Sequence, residues 1–223
     1  MLSKTKTFCT TCAVACLTSA GIADFYNPAS TDWDSSDGFT QGWGWESFTQ
    51  ANFAPNFADA GWYGDPGFGY GAEIYNFSGS AVVAGSGNIY DPGGALNIHI
   101  YGNGDIDQAL LQVSTEGSGL DWMGVQLYVN GTAGEMYMDW DSMEQTFYQE
   151  IPDFGAIDQA AMSWDISDSY NGTVESWGFF ISAYGPHASL DAVSLQTLTM
   201  TVPAPGAIAI LGLAGMTARR RRN

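Results

Sequence analysis

Short runs of alternating apolar and polar residues recur along the middle of this chain, and they restrict it to β structure. Residues 96–101 alternate in this way, as do residues 125–130 and 136–140. Alternation of period two places every second side chain on one face of a strand. No long window keeps its apolar residues at the 3.6-residue period of a helix. The middle of the chain is therefore expected to be built from strands.

Turn-forming clusters separate these runs. They are rich in Gly, Asn, Asp and Pro, which favour tight turns. The clusters are Asp91-Pro92-Gly93-Gly94, Asn103-Gly104, Gly117-Ser118-Gly119, Asn130-Gly131 and Asn171-Gly172. About ten short strands at this spacing predict an all-β fold, an antiparallel β-sandwich. A jelly-roll-like arrangement is preferred, and an immunoglobulin-like sandwich is the alternative.

Charge is divided sharply between the ends and the middle. Lys4 and Lys6 lie at one end, four arginines lie at the other, and residues 7–218 contain no basic side chain. All 24 acidic residues lie between Asp24 and Asp191. Positive flanks stay on the cytoplasmic side of a membrane, so this layout predicts an acidic domain that is exported.

The first 23 residues have the features of a secretory signal peptide. Two lysines precede a short apolar stretch, and small residues precede a cleavage site that we place after Ala23. All three cysteines fall in this segment, so the mature domain has no disulfide. Two alternatives remain open, a buried N-terminal helix and a lipoprotein acylated at Cys16.

The C-terminal segment combines three features in a fixed order. An apolar run at 206–218 follows a proline motif and precedes an arginine cluster. The motif is Val202, Pro203, Ala204 and Pro205, and the cluster is Arg219, Arg220, Arg221 and Arg222. The apolar run is predicted to form a short helix. It is shorter than the roughly 20 residues that span a bilayer, which favours a transient anchor over a permanent transmembrane helix.

This terminus resembles the PEP-CTERM sorting signal of bacterial exosortase substrates, in a variant with Pro203-Ala204-Pro205 in place of Pro-Glu-Pro. The resemblance implies sorting to the cell surface or extracellular matrix, with a transient membrane anchor. The partners it implies are the secretion machinery and an exosortase-like enzyme that cleaves near the proline motif. The predicted organisation is a signal peptide (1–23), an acidic ectodomain (24–201) and a sorting signal (202–223).

The ectodomain itself carries only a weak resemblance. Residues 38–43 and 190–193 look like the opening and closing strands of galactose-binding-like jelly rolls. No binding residue follows from that likeness.

The composition of the ectodomain excludes some partners and favours others. Without Lys or Arg it lacks the usual contacts to phosphates, so nucleic acids and anionic polysaccharides are poor partners. Cations are better ones, and a structural Ca²⁺ is a candidate cofactor because that ion prefers oxygen ligands. The candidate ligands are Asp32, Asp34, Asp37, Asp105 and Asp107. Each of these positions also fits an ordinary turn.

Polysaccharide of the envelope or matrix is a further candidate partner. Trp43, Trp45 and Trp62 lie in a Gly-rich segment, where exposed rings can stack on sugars, but packing in the core or anchoring of a loop is the favoured interpretation for each. Catalytic machinery is missing: no mature cysteine, no nucleophile elbow, and two histidines with no evident partner. We therefore expect a non-enzymatic structural or adhesive protein. The alternatives are a carbohydrate-binding module and a secreted polysaccharide hydrolase, which needs two facing carboxylates.

Overall fold

The computed structural model describes residues 25–33, 37–62 and 71–200. The signal peptide with its cleavage site at Ala23 lies outside these ranges, as does Asp34. The sorting signal lies outside them as well, with the motif Val202, Pro203, Ala204 and Pro205 and the cluster Arg219, Arg220, Arg221 and Arg222. Within the described ranges, no helix has the length and apolar character needed to cross a membrane.

Fourteen strands and one short 3₁₀ helix (Trp122–Gly124) make up this part of the chain. The strands are β1 (Gly38–Trp45), β2 (Asn56–Phe57), β3 (Ala60–Trp62), β4 (Glu73–Asn76), β5 (Val82–Val83), β6 (Ile89–Asp91), β7 (Asn97–Asn103), β8 (Gln108–Gly117), β9 (Gln126–Gly131), β10 (Gly134–Asp139), β11 (Ser142–Ile151), β12 (Gly155–Asp165), β13 (Val174–Ser182) and β14 (Ala188–Met200).

The strands form two antiparallel sheets. The large sheet has the order β11-β12-β8-β14-β1-β3, with β6 also paired to β14 and β5 paired to β6. The small sheet has the order β10-β9-β13-β7-β4-β2. The predicted all-β class and antiparallel sandwich are confirmed.

The core lies between the two sheets. Trp43 of the large sheet meets Trp177 of the small sheet at a ring-centroid distance of 5.8 Å, and Trp164 meets Phe179 at 5.1 Å. The period-two pattern places its apolar members inward, since Ile98, Ile100, Leu127 and Val129 are all fully buried. Burying such side chains contributes about 1.5–3 kcal/mol each.

The first and last strands lie side by side in the large sheet. β1 pairs with β14 along its whole length, from Gly38 opposite Met200 to Trp45 opposite Val193. Residues 33–71 are rich in glycine, which is typical of loops, yet the structure places three strands there. In β1, Trp43 and Trp45 alternate with glycines and so still obey period two.

Residues 25–33 lie against part of the outer face of the large sheet. The backbone N–H of Tyr26 donates to Gln159 Oε1, and that of Ala29 donates to Gln112 Oε1, both at 3.0 Å. The ring of Tyr26 also stacks on Phe147 at 4.1 Å. Residues 25–33 therefore cover part of this face, which leaves the outer face of the small sheet as the more accessible broad surface.

Candidate functional site

A group of aromatic side chains lies on the outer face of the small sheet and is here called the aromatic face. Five neighbouring strands carry it, with two further rings from the loop before β2 and from the residue that follows β4. Its members are Phe53, Tyr75, Phe77, His99, Tyr101, Tyr128, Tyr137 and Phe180. Five strands span about 19 Å across, since neighbouring strands lie 4.7–4.9 Å apart.

Strand register brings these rings together from distant parts of the chain. Tyr75 lies opposite His99, and His99 lies opposite Phe180. In the next row Tyr101 and Tyr128 flank Gly178 on either side, and Tyr128 lies opposite Tyr137. Because side chains alternate between faces, the buried residues between them point into the core while the rings point outward.

Phe180 is at the centre of the aromatic face. Its ring centroid lies 4.6 Å from that of His99, 6.0 Å from Tyr137 and 6.1 Å from Tyr101. The His99 and Tyr101 rings stand at 86° and 79° to it, which is the edge-to-face arrangement that aromatic pairs favour. The rings therefore form a contoured surface rather than a flat platform.

Gly178 leaves room for one of these rings. A Cβ atom built there would lie 2.9 Å from Tyr101 Cδ1 and 3.2 Å from the backbone oxygen of Ile100. Only glycine lets Tyr101 lie so close to β13, which is how a glycine in a strand permits close approach.

His99 holds Tyr101 in position. His99 Nε2 lies 3.0 Å from Asn97 Oδ1, which can only accept, so Nε2 is the donor of the neutral ring. His99 Nδ1 then accepts from the Tyr101 hydroxyl at 2.7 Å. Burial lowers the pKa of His99, which favours this neutral form.

A pocket of about 310 Å³ opens at one side of the aromatic face. Its described lining is Gly71, Glu73, Tyr101, Gly102, Asn103, Tyr128, Ser176 and Trp177. The Tyr75 hydroxyl donates to Glu73 Oε2 at 2.6 Å and so fixes this carboxylate. That hydrogen bond, with burial, raises the pKa of Tyr75 to about 12.

Two of the tryptophans considered for sugar stacking do not form the site. Trp43 is 4% exposed and Trp45 is fully buried, so neither offers a ring to solvent. Both pack in the core, and Trp45 Nε1 donates to the Asn56 carbonyl oxygen at 3.1 Å. The structure thus agrees with the core packing that the sequence favoured for these two residues, because alternation turns them inward. The side chain of Trp62 lies outside the described structure.

Two of the candidate calcium ligands accept hydrogen bonds from the protein's own backbone. Asp105 Oδ1 accepts from Val174 N at 2.9 Å, and Asp107 Oδ2 accepts from Met200 N at 2.5 Å. Asp32 and Asp37 are exposed. Among the residues described, no three His, Cys, Asp or Glu side chains converge to hold a metal ion. The calcium prediction therefore stays a prediction.

A second concave region bears on the hydrolase alternative. A pocket of about 740 Å³ is lined in part by the carboxylates of Glu150, Asp153 and Asp158. Asp158 is 8% exposed and accepts from Trp122 Nε1 and from Gln145 Nε2, both at 2.8 Å. Asp158 thus ties the 3₁₀ helix and β11 to β12, which is a structural role.

The other histidine has a partner that the sequence did not reveal. The His187 Nδ1 atom lies 2.8 Å from the Tyr90 hydroxyl, and His187 itself adopts a positive φ of 70°. It therefore belongs to the turn before β14 and lies outside the aromatic face.

Comparison of the chain with known protein families finds no matching family. A search among curated proteins likewise finds no match.

Proposed function

We propose that this chain is an exported, non-enzymatic adhesive protein that binds neutral polysaccharide through the aromatic face. The observation that carries the proposal is the contiguous set of rings across five strands of one sheet. Tyr137 is 60% exposed and Tyr101 is 37% exposed, so ring area is offered to solvent. Contiguous exposed apolar surface of this kind marks a binding site more often than a chance feature.

Charge supports a neutral ligand. The aromatic face and its pocket carry Glu73 but neither Lys nor Arg, since residues 7–218 contain none. An anionic polymer would meet like charge without a counterion, whereas a neutral glycan offers hydroxyl groups to carboxylate, amide and hydroxyl partners. The contoured arrangement of the rings suits a single glycan chain better than a flat crystalline surface.

Charge also argues against a second copy of this chain as the occupant. Pairing two aromatic faces would bring two acidic domains together, with no basic side chain in either to offset the repulsion. A dimer that forms only at high salt would be the sign of that alternative.

Affinity electrophoresis tests the proposal. The purified protein is run through gels that contain galactomannan, xylan, mixed-linkage β-glucan or polygalacturonate. We expect retardation by at least one neutral polymer, and we expect Tyr137→Ala to reduce it at least five-fold. Tyr148→Ala is the matched control, because Tyr148 is 51% exposed on the opposite sheet. Equal loss in both variants, or no retardation by any neutral polymer, would refute the assignment.

Export and sorting form the second half of the proposal. They are supported by the confinement of basic residues to the termini and by the resemblance of residues 202–223 to the PEP-CTERM signal. The jelly-roll-like connectivity, the apolar terminal helices and the transient anchor belong to this proposal. Mass spectrometry of surface-exposed protein should recover a chain that begins at Asp24 and lacks the arginine cluster. Recovery of an intact C-terminus would favour a retained anchor.

Absence of catalysis is the remaining element of the proposal. A carboxylate pair at glycosidase spacing would be the expected sign of the hydrolase alternative. We expect no reducing ends to be released from the four polymers named above. Release that is abolished by Asp158→Asn or Glu150→Gln would favour the hydrolase.

A further inference from the structure

The pocket beside Glu73 differs in chemistry from the rest of the aromatic face. Elsewhere rings dominate, but here two tyrosine rings lie together with a carboxylate, an amide and a hydroxyl group. Its volume of about 310 Å³ is at the small end of the roughly 300–1,000 Å³ of ligand pockets. A pocket of this size suits a single sugar residue rather than a chain.

Trp177 closes the inner side of this pocket. It is 2% exposed and lines the pocket, and its ring packs in the core against Trp43 and Phe179, each at a ring-centroid distance of 5.8 Å. This side of the pocket is therefore held in place by the core.

The carboxylate of Glu73 is positioned to accept hydrogen bonds from hydroxyl groups. Tyr75 donates to its Oε2 atom, so the carboxylate is held in place while acceptor positions remain on both oxygens. A carboxylate fixed in this way can accept from adjacent hydroxyl groups, and such charge-assisted hydrogen bonds are roughly twice as strong as neutral ones. Glu73 would at the same time repel the carboxylate of a uronic acid.

We infer that this pocket is the selective subsite of the aromatic face, and that it takes one neutral pyranose with two free adjacent hydroxyl groups. In this arrangement Glu73, Asn103 and Ser176 bind hydroxyl groups, Tyr101 and Tyr128 contact the ring, and the remaining rings hold the rest of the chain. The inference rests on the proposed glycan binding. It adds that discrimination between neutral and acidic sugars depends on one carboxylate.

Glu73→Gln tests this inference with a matched pair of polymers. Polygalacturonate and its carboxyl-reduced form share linkage and ring geometry and differ at C6, which carries a carboxylate in the first and a hydroxymethyl group in the second. They are compared with galactomannan and xylan by affinity electrophoresis. Glu144→Gln, an equal change of charge on β11 of the large sheet, is the control. We expect Glu73→Gln to weaken binding of the best neutral polymer about ten-fold, since a tenfold change follows from about 1.4 kcal/mol. We also expect Glu73→Gln to reduce the ratio of affinities for carboxyl-reduced and native polygalacturonate. Glu144→Gln should leave both the affinity and this ratio unchanged.

The possible outcomes distinguish failure of the subsite from failure of the proposed glycan binding. If Tyr137→Ala weakens binding while Glu73→Gln behaves like Glu144→Gln, the glycan surface stands and the subsite is refuted. If the unaltered protein binds none of the polymers, the proposed function fails first.

An NMR measurement provides a readout at the pocket that does not depend on Glu73. The indole ¹⁵N–¹H resonance of Trp177, identified by its loss in Trp177→Phe, should shift when mannotriose or xylotriose is added. An unmoved Trp177 resonance at saturating sugar would also overturn the subsite.

Discussion

Gly102 has no room for a side chain in the small sheet, and Gly102→Ala tests the packing beneath the aromatic face. Gly102 lies in β7, opposite Trp177 of β13. A Cβ atom built on Gly102 would lie 2.1 Å from Trp177 Cζ2, 2.3 Å from Cη2 and 2.7 Å from Cε2. The indole ring therefore occupies the space that any other side chain would need.

The cost of this change follows from how little the indole can move. Optimal contacts between carbon atoms are about 3.5–4.0 Å long, so the ring would have to shift by more than about 1 Å. Trp177 is 2% exposed and packs against Trp43 and Phe179, each at a ring distance of 5.8 Å. Overpacking a core in this way costs about 1–3 kcal/mol, and we expect the upper end of that range.

Urea denaturation followed by tryptophan fluorescence measures the change. Gly85→Ala is the matched control because no atom lies within 4 Å of its added methyl group, and it should change stability by less than about 0.5 kcal/mol. The double variant Gly102→Ala with Trp177→Phe should be more stable than the sum of the single effects predicts, since the phenyl ring lacks the clashing atoms. If Gly102→Ala matches Gly85→Ala, or if the two changes are additive, the argument from packing is refuted.

Three further predictions concern charge and pH. Burial lowers the pKa of His99 below its ordinary 6.5. The stability that the neutral ring contributes is therefore present above pH 6.5 and is lost as the pH falls through the lowered pKa. His99→Gln should flatten the profile of melting temperature against pH between pH 4 and 7. Burial and the nearby carboxylate of Asp191 raise the pKa of Glu116 above its ordinary 4.5. Ionisation of Glu116 therefore destabilises the fold as the pH rises. Glu116→Gln should have a higher melting temperature than the unaltered protein at pH 7 and the same melting temperature below pH 4.5. Sodium chloride should raise the melting temperature gradually by screening the carboxylates, whereas a bound Ca²⁺ would act at far lower concentration, and a constant melting temperature in both titrations would contradict both effects.

The fold class could be read from the sequence because a short-range pattern determines it. Alternation in residues 96–101 and 125–130 depends only on neighbours two positions apart, and the structure buries its apolar members. The same pattern was present around Trp43 and Trp45, but with glycine at the positions between them. Glycine is more typical of a loop, but in β1 it lies on the opposite side from the tryptophans. The period of the pattern is therefore a better guide to this strand than the composition of the segment.

The candidate site could not be read in the same way, because strand register assembles it. Tyr75 and Phe180 lie far apart in the sequence, and β7 joins them in space through two separate pairings. A partial signal did exist. In β4, β7, β9 and β10 at least one outward position carries Tyr or His, at a site where a solvent-exposed strand usually has a charged or small polar residue. An aromatic residue at the polar position of several strands is therefore the sequence pattern that corresponds to the aromatic face.

The composition and the aromatic face impose related constraints on the ligand that we propose for this domain. A domain without Lys or Arg cannot neutralise an anionic ligand, so its affinity must come from apolar contact and from hydrogen bonds that its acidic and amide groups accept or donate. Sugar rings meet both requirements, since they present apolar C–H surface on their faces and hydroxyl groups around their edges. The aromatic face offers rings for the first, and Glu73, Asn103 and Ser176 offer polar groups for the second. A neutral glycan is thus the class of ligand for which the absence of basic residues carries no cost.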